Sequence, residues 1–274
     1  MVRRLSFTIA VVFLFVLTGQ SARAQQSANG TWRFVASGDS RNCGDVVMPG
    51  IAETAKQNHA AFYWHLGDLR AINTFDEDIQ HQPPHISTPL SITDYENIAW
   101  LDFIESQIGP FGSIPFLVGI GNHETISPYK TREDFILQFA DWLNTPMLRE
   151  QRLRDDPKDH RIKTYFHWID RGVAFYYLDS ASAEQFNIAQ VSWFERNVAK
   201  DAANPAIKTI VAGMHMALPE SISAGHSMNE SPAGIESGRR VYADLLRARN
   251  QAHKRVYVLA SHSHYFMNGI FNTD

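Results

Sequence analysis

Ile114-Pro115-Phe116-Leu117-Val118-Gly119-Ile120 runs directly into Gly121-Asn122-His123-Glu124. The apolar, β-rich run reads as a buried strand, and the quartet after it stands where a strand delivers a site at its carboxyl end. Asn offers a neutral amide oxygen, His a ligand nitrogen or a proton, and Glu a carboxylate. Gly-Asn is also a common turn signal, so the stretch alone reads equally well as a strand followed by a polar turn. Four further junctions of the same kind decide between the two.

Working outward, residues 31–37 are β-prone and end in Gly38-Asp39-Ser40-Arg41. A helix is expected over 51–58. Residues 60–66 read as a second, more buried strand that ends in Gly67-Asp68-Leu69-Arg70. Strand, helix and parallel strand, with an Asp just past each strand, is the βαβ arrangement. Residues 76–92, rich in Pro, His and Gln, read as an inserted irregular loop in which His81 and His85 are solvated. Thr93-Asp94-Tyr95-Glu96 is a capping-box pattern at the head of a helix with an apolar face reaching Ile108. A helix is expected over 131–143, and the highly charged 147–160 is expected to be a solvated excursion. Residues 164–169 and 173–178 flank Asp170-Arg171-Gly172 and predict an antiparallel hairpin; Asp179-Ser180 closes it, placed to orient a ligand histidine but read more simply as a hydrogen-bonded turn. A helix over 190–200 precedes a strand over 207–212 that ends in Gly213-Met214-His215. A long loop over 216–234 carries His226, which is within reach of a substrate but reads more simply as loop surface. A helix over 239–250 leads to the last strand, 255–260, and to Ser261-His262-Ser263-His264.

Five strands therefore end in metal-competent groups: Asp39, Asp68, Asn122 with His123, His215, and His262 with His264. A Gly-Asp or a Gly-Met-His after one strand is most simply a turn. The i, i+2 pair His262 and His264 is stronger, because in an extended segment both rings fall on one side. Five in order, each after a strand, are not accounted for by turns. Hard oxygens with imidazoles suit Mn, Fe, Zn or Co better than calcium or copper. The set is too large for one tetrahedral ion and suits two ions roughly 3.5–4 Å apart that share a carboxylate and a hydroxide. His65, inside a strand, reads as a core histidine or one supporting a ligand. No Gly-x-Ser-x-Gly elbow is present.

On these residues, from Gly38-Asp39 to His264, the sequence resembles the calcineurin-like metallophosphoesterase family, with Gly121–Glu124 as the most specific block. The resemblance implies an α/β fold: a four-layer α-β-β-α sandwich of two mixed sheets flanked by helices, with the metal site at the carboxyl ends of the strands. It implies that Asp68 bridges two ions, that Asp39 and His264 hold one, and that Asn122, His215 and His262 hold the other. His123 would stand by the phosphorus, binding a phosphoryl oxygen or protonating the leaving group. The reaction implied is hydrolysis of a phosphorylated small molecule or a phosphodiester, by in-line attack of the bridging hydroxide. The first motif departs from the family's Asp-x-His: Arg41 stands where the His is usual, and a guanidinium cannot ligate. The Tyr that purple acid phosphatases carry three residues after the bridging Asp is Ala71 here, and Ser261 replaces a common Gly. Arg41 is read either as a bidentate grip on substrate phosphate or as a partner for Asp39 or another local carboxylate.

Residues 1–24 read as a cleavable signal peptide: Arg3 and Arg4, an apolar run from Leu5 to Leu17, and the A-x-A site Ala22-Arg23-Ala24. A secreted or periplasmic chain over 25–274 is expected, one domain with no linker or repeat, and no membrane span after cleavage. Removing 1–24 takes away three arginines and no acid, so the formal net charge goes from −4 to −7. That balance argues against a general nucleic-acid surface. Cys43 is the single cysteine and has no internal disulfide partner. The chain ends ten residues past His264, and since the resemblance implies further strands, a shortened carboxyl end is expected. Two rival readings remain: a catalytically silent relative with an incomplete first metal site, and an exported structural protein whose strand ends are turns.

Overall fold

Five of the strands in the computed structural model, which describes residues 31–182, 185–221 and 225–264, stop within four residues of a candidate ligand. The chain forms β1 (Val35–Ser37), α1 (Gly44–Gln57), β2 (Tyr63–His65), α2 (Glu77–Gln80), α3 (Pro83–Ser87), α4 (Ile92–Phe103) and β3 (Phe116–Val118). It continues with α5 (Arg132–Gln138), α6 (Ala140–Leu143), α7 (Pro146–Asp155), β4 (Phe166–Asp170) and β5 (Val173–Leu178). Last come α8 (Ile188–Ala203), β6 (Thr209–Met214), α9 (Pro232–Asn250) and β7 (Arg255–Ala260). Residues 1–24, read above as a signal peptide, lie outside the described residues. No described helix is long and apolar enough to cross a membrane.

The strands form two sheets, ordered β1-β2-β3 and β4-β5-β6-β7. The first is parallel, with Ser37 opposite His65 and His65 opposite Val118. The second is mixed: β4 runs antiparallel to β5, and β5, β6 and β7 run parallel. The β4–β5 turn places Arg171 at φ 48° and Gly172 at φ 74°, the pair of positive φ values that a two-residue type I′ hairpin needs. Parallel neighbours need long crossovers; α1, α4, α8 and α9 lie in them. Because the crossovers return each strand in the same direction, Asp39, Asp68, Asn122, His215 and His262 all emerge on one rim.

Period-2 alternation builds the layers. Trp64 points from the first sheet into the second, edge-on to Trp168 at 5.1 Å between ring centroids and to Tyr177 at 6.1 Å. A Cβ on Gly213 would collide with the Trp64 ring, so the glycine is required by the close approach of the two sheets. On the outer face of the second sheet, Ala174, Tyr176, Ile210 and Ala212 pack with Phe194 of α8 and Val241 of α9. On the outer face of the first, Tyr63 meets Phe111 at 4.4 Å, and its hydroxyl reaches Met48 of α1 at 3.5 Å. The result is α/β, with two sheets flanked by helices.

Several segments differ from the sequence expectation. Residues 76–92 are not an irregular loop: Asp76 caps α2 through the N–H of Asp78 at 3.3 Å, and the two prolines open α3, where a missing N–H costs nothing. Helix α4 begins earlier than the Thr93 box, with Ser91 accepting from the N–H of Asp94 at 3.1 Å. The charged 147–160 segment is largely α7, which buries Leu148 and Gln151. Helix α9 starts at Pro232, capped by Ser231, well before residue 239. Helix α1 extends back through Pro49 to Gly44.

Candidate metal centre

Asp39, Asp68, His262 and His264 all occupy the left-handed region, at φ 55°, 58°, 72° and 56°. Each such non-glycine residue carries backbone strain that the surroundings must hold, a pattern that gathers at functional sites. Here tight turns just past β1, β2 and β7 swing short polar side chains back toward one point. Gly121 packs so closely on Asp68 that a Cβ there would strike the carboxylate.

The side chains meet as one group. His215 Nε2 lies 3.0 Å from Asn122 Oδ1, 3.0 Å from His262 Nδ1 and 3.2 Å from Asp68 Oδ1. Asp39 Oδ1 lies 2.9 Å from His264 Nε2, and Asp39 Oδ2 accepts the backbone N–H of His262 at 2.6 Å. One ligand atom from each of Asp39, Asp68, His215 and His262 falls within 4.8 Å of the others. Donors at right angles on a cation, with bonds of about 2.0–2.2 Å, are about 3 Å apart. His215 Nδ1 faces Leu66 O and Ser261 Oγ, both at 3.1 Å. Its proton is best placed there, leaving Nε2 free as a ligand nitrogen. Asp68 Oδ2 is buried and without a hydrogen-bond partner. That orphaned oxygen and the crowding of acceptors around His215 fit a cation.

The electrostatics agree. Burial alone would raise the Asp68 carboxyl, but His215 and His123 carry it below the usual carboxylate range. Burial lowers His215, yet Asp68 and then Asp39 pull it above its ordinary value. The same field favours a positive ion. Burial and the charge of His215 push His262 down to about 4, so its imidazole is neutral at neutral pH, the form that ligates.

His123 stands beside this group. Its Nδ1 donates to Ala71 O at 2.6 Å, and its Nε2 is 3.8 Å from Asp68 Oδ2. Arg41 Nε lies 3.9 Å from Asp68 Oδ2, and its Nη2 lies 3.3 Å from His264 Nε2. A cleft of about 370 Å³ opens over them, lined by Arg41, His123, His226, Glu230, His262 and His264 among others. A larger cleft of about 730 Å³ between α7 and α8 contains none of these residues.

Glu124 does not face the ligand group. It is buried and accepts the N–H groups of Asp68 and Leu69 at 2.9 Å and of Gly121 at 2.7 Å. Burial, then repulsion from Asp68, pushes its carboxyl up to about 8. His65 is buried, accepts from Gly67 N at 3.2 Å and contacts Ser40 Oγ at 3.0 Å. Burial lowers it to about 4, and it supports the Asp39 and Asp68 turns without joining the group. Asp179 pairs with Arg132 at 2.8 Å and accepts from Thr164 and Ala181, as the turn reading has it. His226, read as loop surface, has its ring 5.1 Å from His262; nothing in its local sequence marks it.

No protein-family profile matches the chain, and no curated protein matches it. Solved structures do. A dimetal phosphatase from Danio rerio superposes at a TM-score of 0.55 and 11% identity, covering 85% of this chain and 82% of its own. Purple acid phosphatase PPD1 from yellow lupin (Lupinus luteus) seeds superposes at 0.50 and 16% identity, again over 85% of this chain. This is the calcineurin-like metallophosphoesterase fold. The chain spans 38% of the length of the lupin protein. Within this fold, the departure at Arg41 is visible in space: its guanidinium lies against His264, which borders Asp39, and Asp68, which borders His215.

Proposed function

We propose that the chain is a metal-dependent phosphoester hydrolase, exported to the periplasm or the exterior, acting on a phosphorylated small molecule or a phosphodiester. The observation that carries the reading is the convergence of Asp39, Asp68, Asn122, His215, His262 and His264 from five strand ends onto one rim. Both structural neighbours are phosphatases, which supports the same class.

Asp39 and His264 would hold a first ion, Asn122, His215 and His262 a second, and Asp68 would lie between them. The donors suit Mn, Fe, Zn or Co. When bound, a pair of such ions supplies Lewis acidity toward phosphoryl oxygens and a nucleophile derived from water. The chain's own residues do the rest. The Leu66 carbonyl and Ser261 hydroxyl fix the His215 ring. His123, its Nδ1–H fixed on Ala71 O, presents Nε2 to the cleft, where it holds a proton for the leaving oxygen. Arg41 offers a guanidinium to phosphoryl oxygens in the same cleft.

One observation favours a second reading. Arg41 sits within 3.3 Å of His264, so a cationic side chain borders the first ion's donors, and a silent relative holding one ion fits that contact. Metal analysis paired with turnover of an aryl phosphate monoester and diester separates the two. Two ions with metal-dependent turnover support the hydrolase; one ion with no turnover of either ester supports the silent relative. A purified chain that retains no transition metal overturns both.

A further inference from the structure

Two residues past Asp68, the side chain of Arg70 is fully buried. Its Nη2 donates to Asp45 Oδ1 of α1 at 2.7 Å and to Ser106 Oγ at 3.0 Å, and it contacts Asp102 of α4. Its Nη1 donates to Asp76 Oδ1 at 3.1 Å, with Asp78 Oδ2 at 3.8 Å. One guanidinium thus stands among four carboxylates drawn from α1, α4 and the start of α2. If the fold needed only filled volume here, apolar side chains would serve as well, because burying an ion is costly.

The neighbours of this cluster are the segments that bear the candidate site. Asp76 uses one oxygen for Arg70 and the other for the N–H of Asn42 at 3.1 Å. Asn42 follows Arg41 and is itself left-handed, at φ 69°. On the other side, Ala71 gives its carbonyl to His123 Nδ1, and Ile72 is left-handed at φ 63°. That conformation is a genuine outlier for a β-branched residue. Its N–H is held by the Tyr95 hydroxyl at 3.1 Å. The strained stretch from Asp68 to Ile72 is therefore clamped at Arg70, between the residue that would bridge the ions and the carbonyl that orients His123.

We propose that Arg70, acting through Asp76, is a positioning residue for the centre: it fixes the Asp68 turn, the Asn42 turn beside Arg41 and the Ala71 carbonyl under His123 in one register. The inference rests on the metal-centre reading above. Residues that act on ligands from behind in this way tune metal affinity by about 10–100-fold.

The test uses the full chain and two variants. Arg70→Lys keeps the buried charge and loses the fork that joins the carboxylates. Asp76→Asn keeps the side-chain shape, removes one carboxylate from an acid-rich cluster, and decides the matter if Arg70→Lys fails to fold. Thermal melting, Co2+ affinity by calorimetry below the melting transition, and the absorption spectrum of the Co2+-loaded protein are measured for each. The expected result is a folded protein with at least about a tenfold weaker Co2+ affinity, an altered spectrum, and a fall in kcat larger than any rise in KM. A lowered melting temperature with wild-type affinity and spectrum overturns the inference alone. A wild-type chain that binds no Co2+ overturns the metal-centre reading, and this inference with it.

Discussion

Glu124 accepts the backbone N–H of Asp68 at 2.9 Å across 56 positions of sequence. With Leu69 and Gly121 on the same carboxyl, it welds the turn after β2 to the turn after β3. A buried donor left without an acceptor costs about 1–3 kcal/mol. Glu124→Gln turns an amide toward at least one of these donors, and a loss of about 1–3 kcal/mol is expected on that basis. Urea unfolding of the variant measures it; an unchanged midpoint would show that the turns hold themselves.

His123 is expected to matter for turnover and not for metal retention. Its backbone N–H reaches Asp68 Oδ1 at 3.0 Å, but its ring is committed to Ala71 O and stands off the ligand group. His123→Ala should lower kcat by about 10²–10⁴-fold, the range for a lost general acid. Metal content by elemental analysis should stay at the wild-type ratio. An equal fall in both would make His123 a ligand.

Asp39 serves the centre with both oxygens, one at His264 Nε2 and one on the N–H of His262. In the proposed assignment, Asp39→Ala removes a donor from the first ion and leaves Asn122, His215 and His262 in place. One ion should be lost or bind weakly while the other is retained. Calorimetry that still resolves two wild-type affinities would sink the assignment.

The candidate ligands Asp39, Asp68, Asn122, His215 and His262 are legible because each follows a β-prone run, at the end of β1, β2, β3, β6 and β7. The role of Glu124 is not legible, because its partners are backbone N–H groups, which no sequence pattern displays. Arg70 was invisible for a related reason: its partners Asp45, Asp76 and Asp102 lie in three different elements. Helices α2 and α3 are too short to show a 3.6-residue period. Helix α7 is rich in Arg and buries little beyond Leu148 and Gln151, so its apolar stripe is too thin to read. The early start of α9 was masked by Gly234 and Gly238, although Ser231-Pro232 is a sound helix opening.

Away from the centre, the buried ring of His167 predicts how stability varies with pH. Its Nδ1 is 2.8 Å from Asp155 and its Nε2 is 2.9 Å from Asp201, with the ring stacked on Tyr176 at 4.4 Å. Lys200 also faces Asp155, at 3.8 Å, and the Tyr176 hydroxyl bonds Asp201 at 2.5 Å. Burial lowers the imidazole, but its bonds to Asp155 and Asp201 and their charges raise it above its ordinary value. A histidine raised in the folded state adds stability that is fully present below its unfolded pKa of ~6.5 and is lost as pH rises through the folded value. His167→Gln removes that linkage while keeping a polar side chain of similar reach. The gap in unfolding free energy between wild type and His167→Gln should therefore be widest on the acid side of ~6.5 and narrow steadily through the alkaline range. Denaturant titrations at a series of pH values give the curve. A gap of constant size would mean that the ring is neutral in the fold and that Asp155 and Asp201 hold α7 and α8 to β4 without its charge.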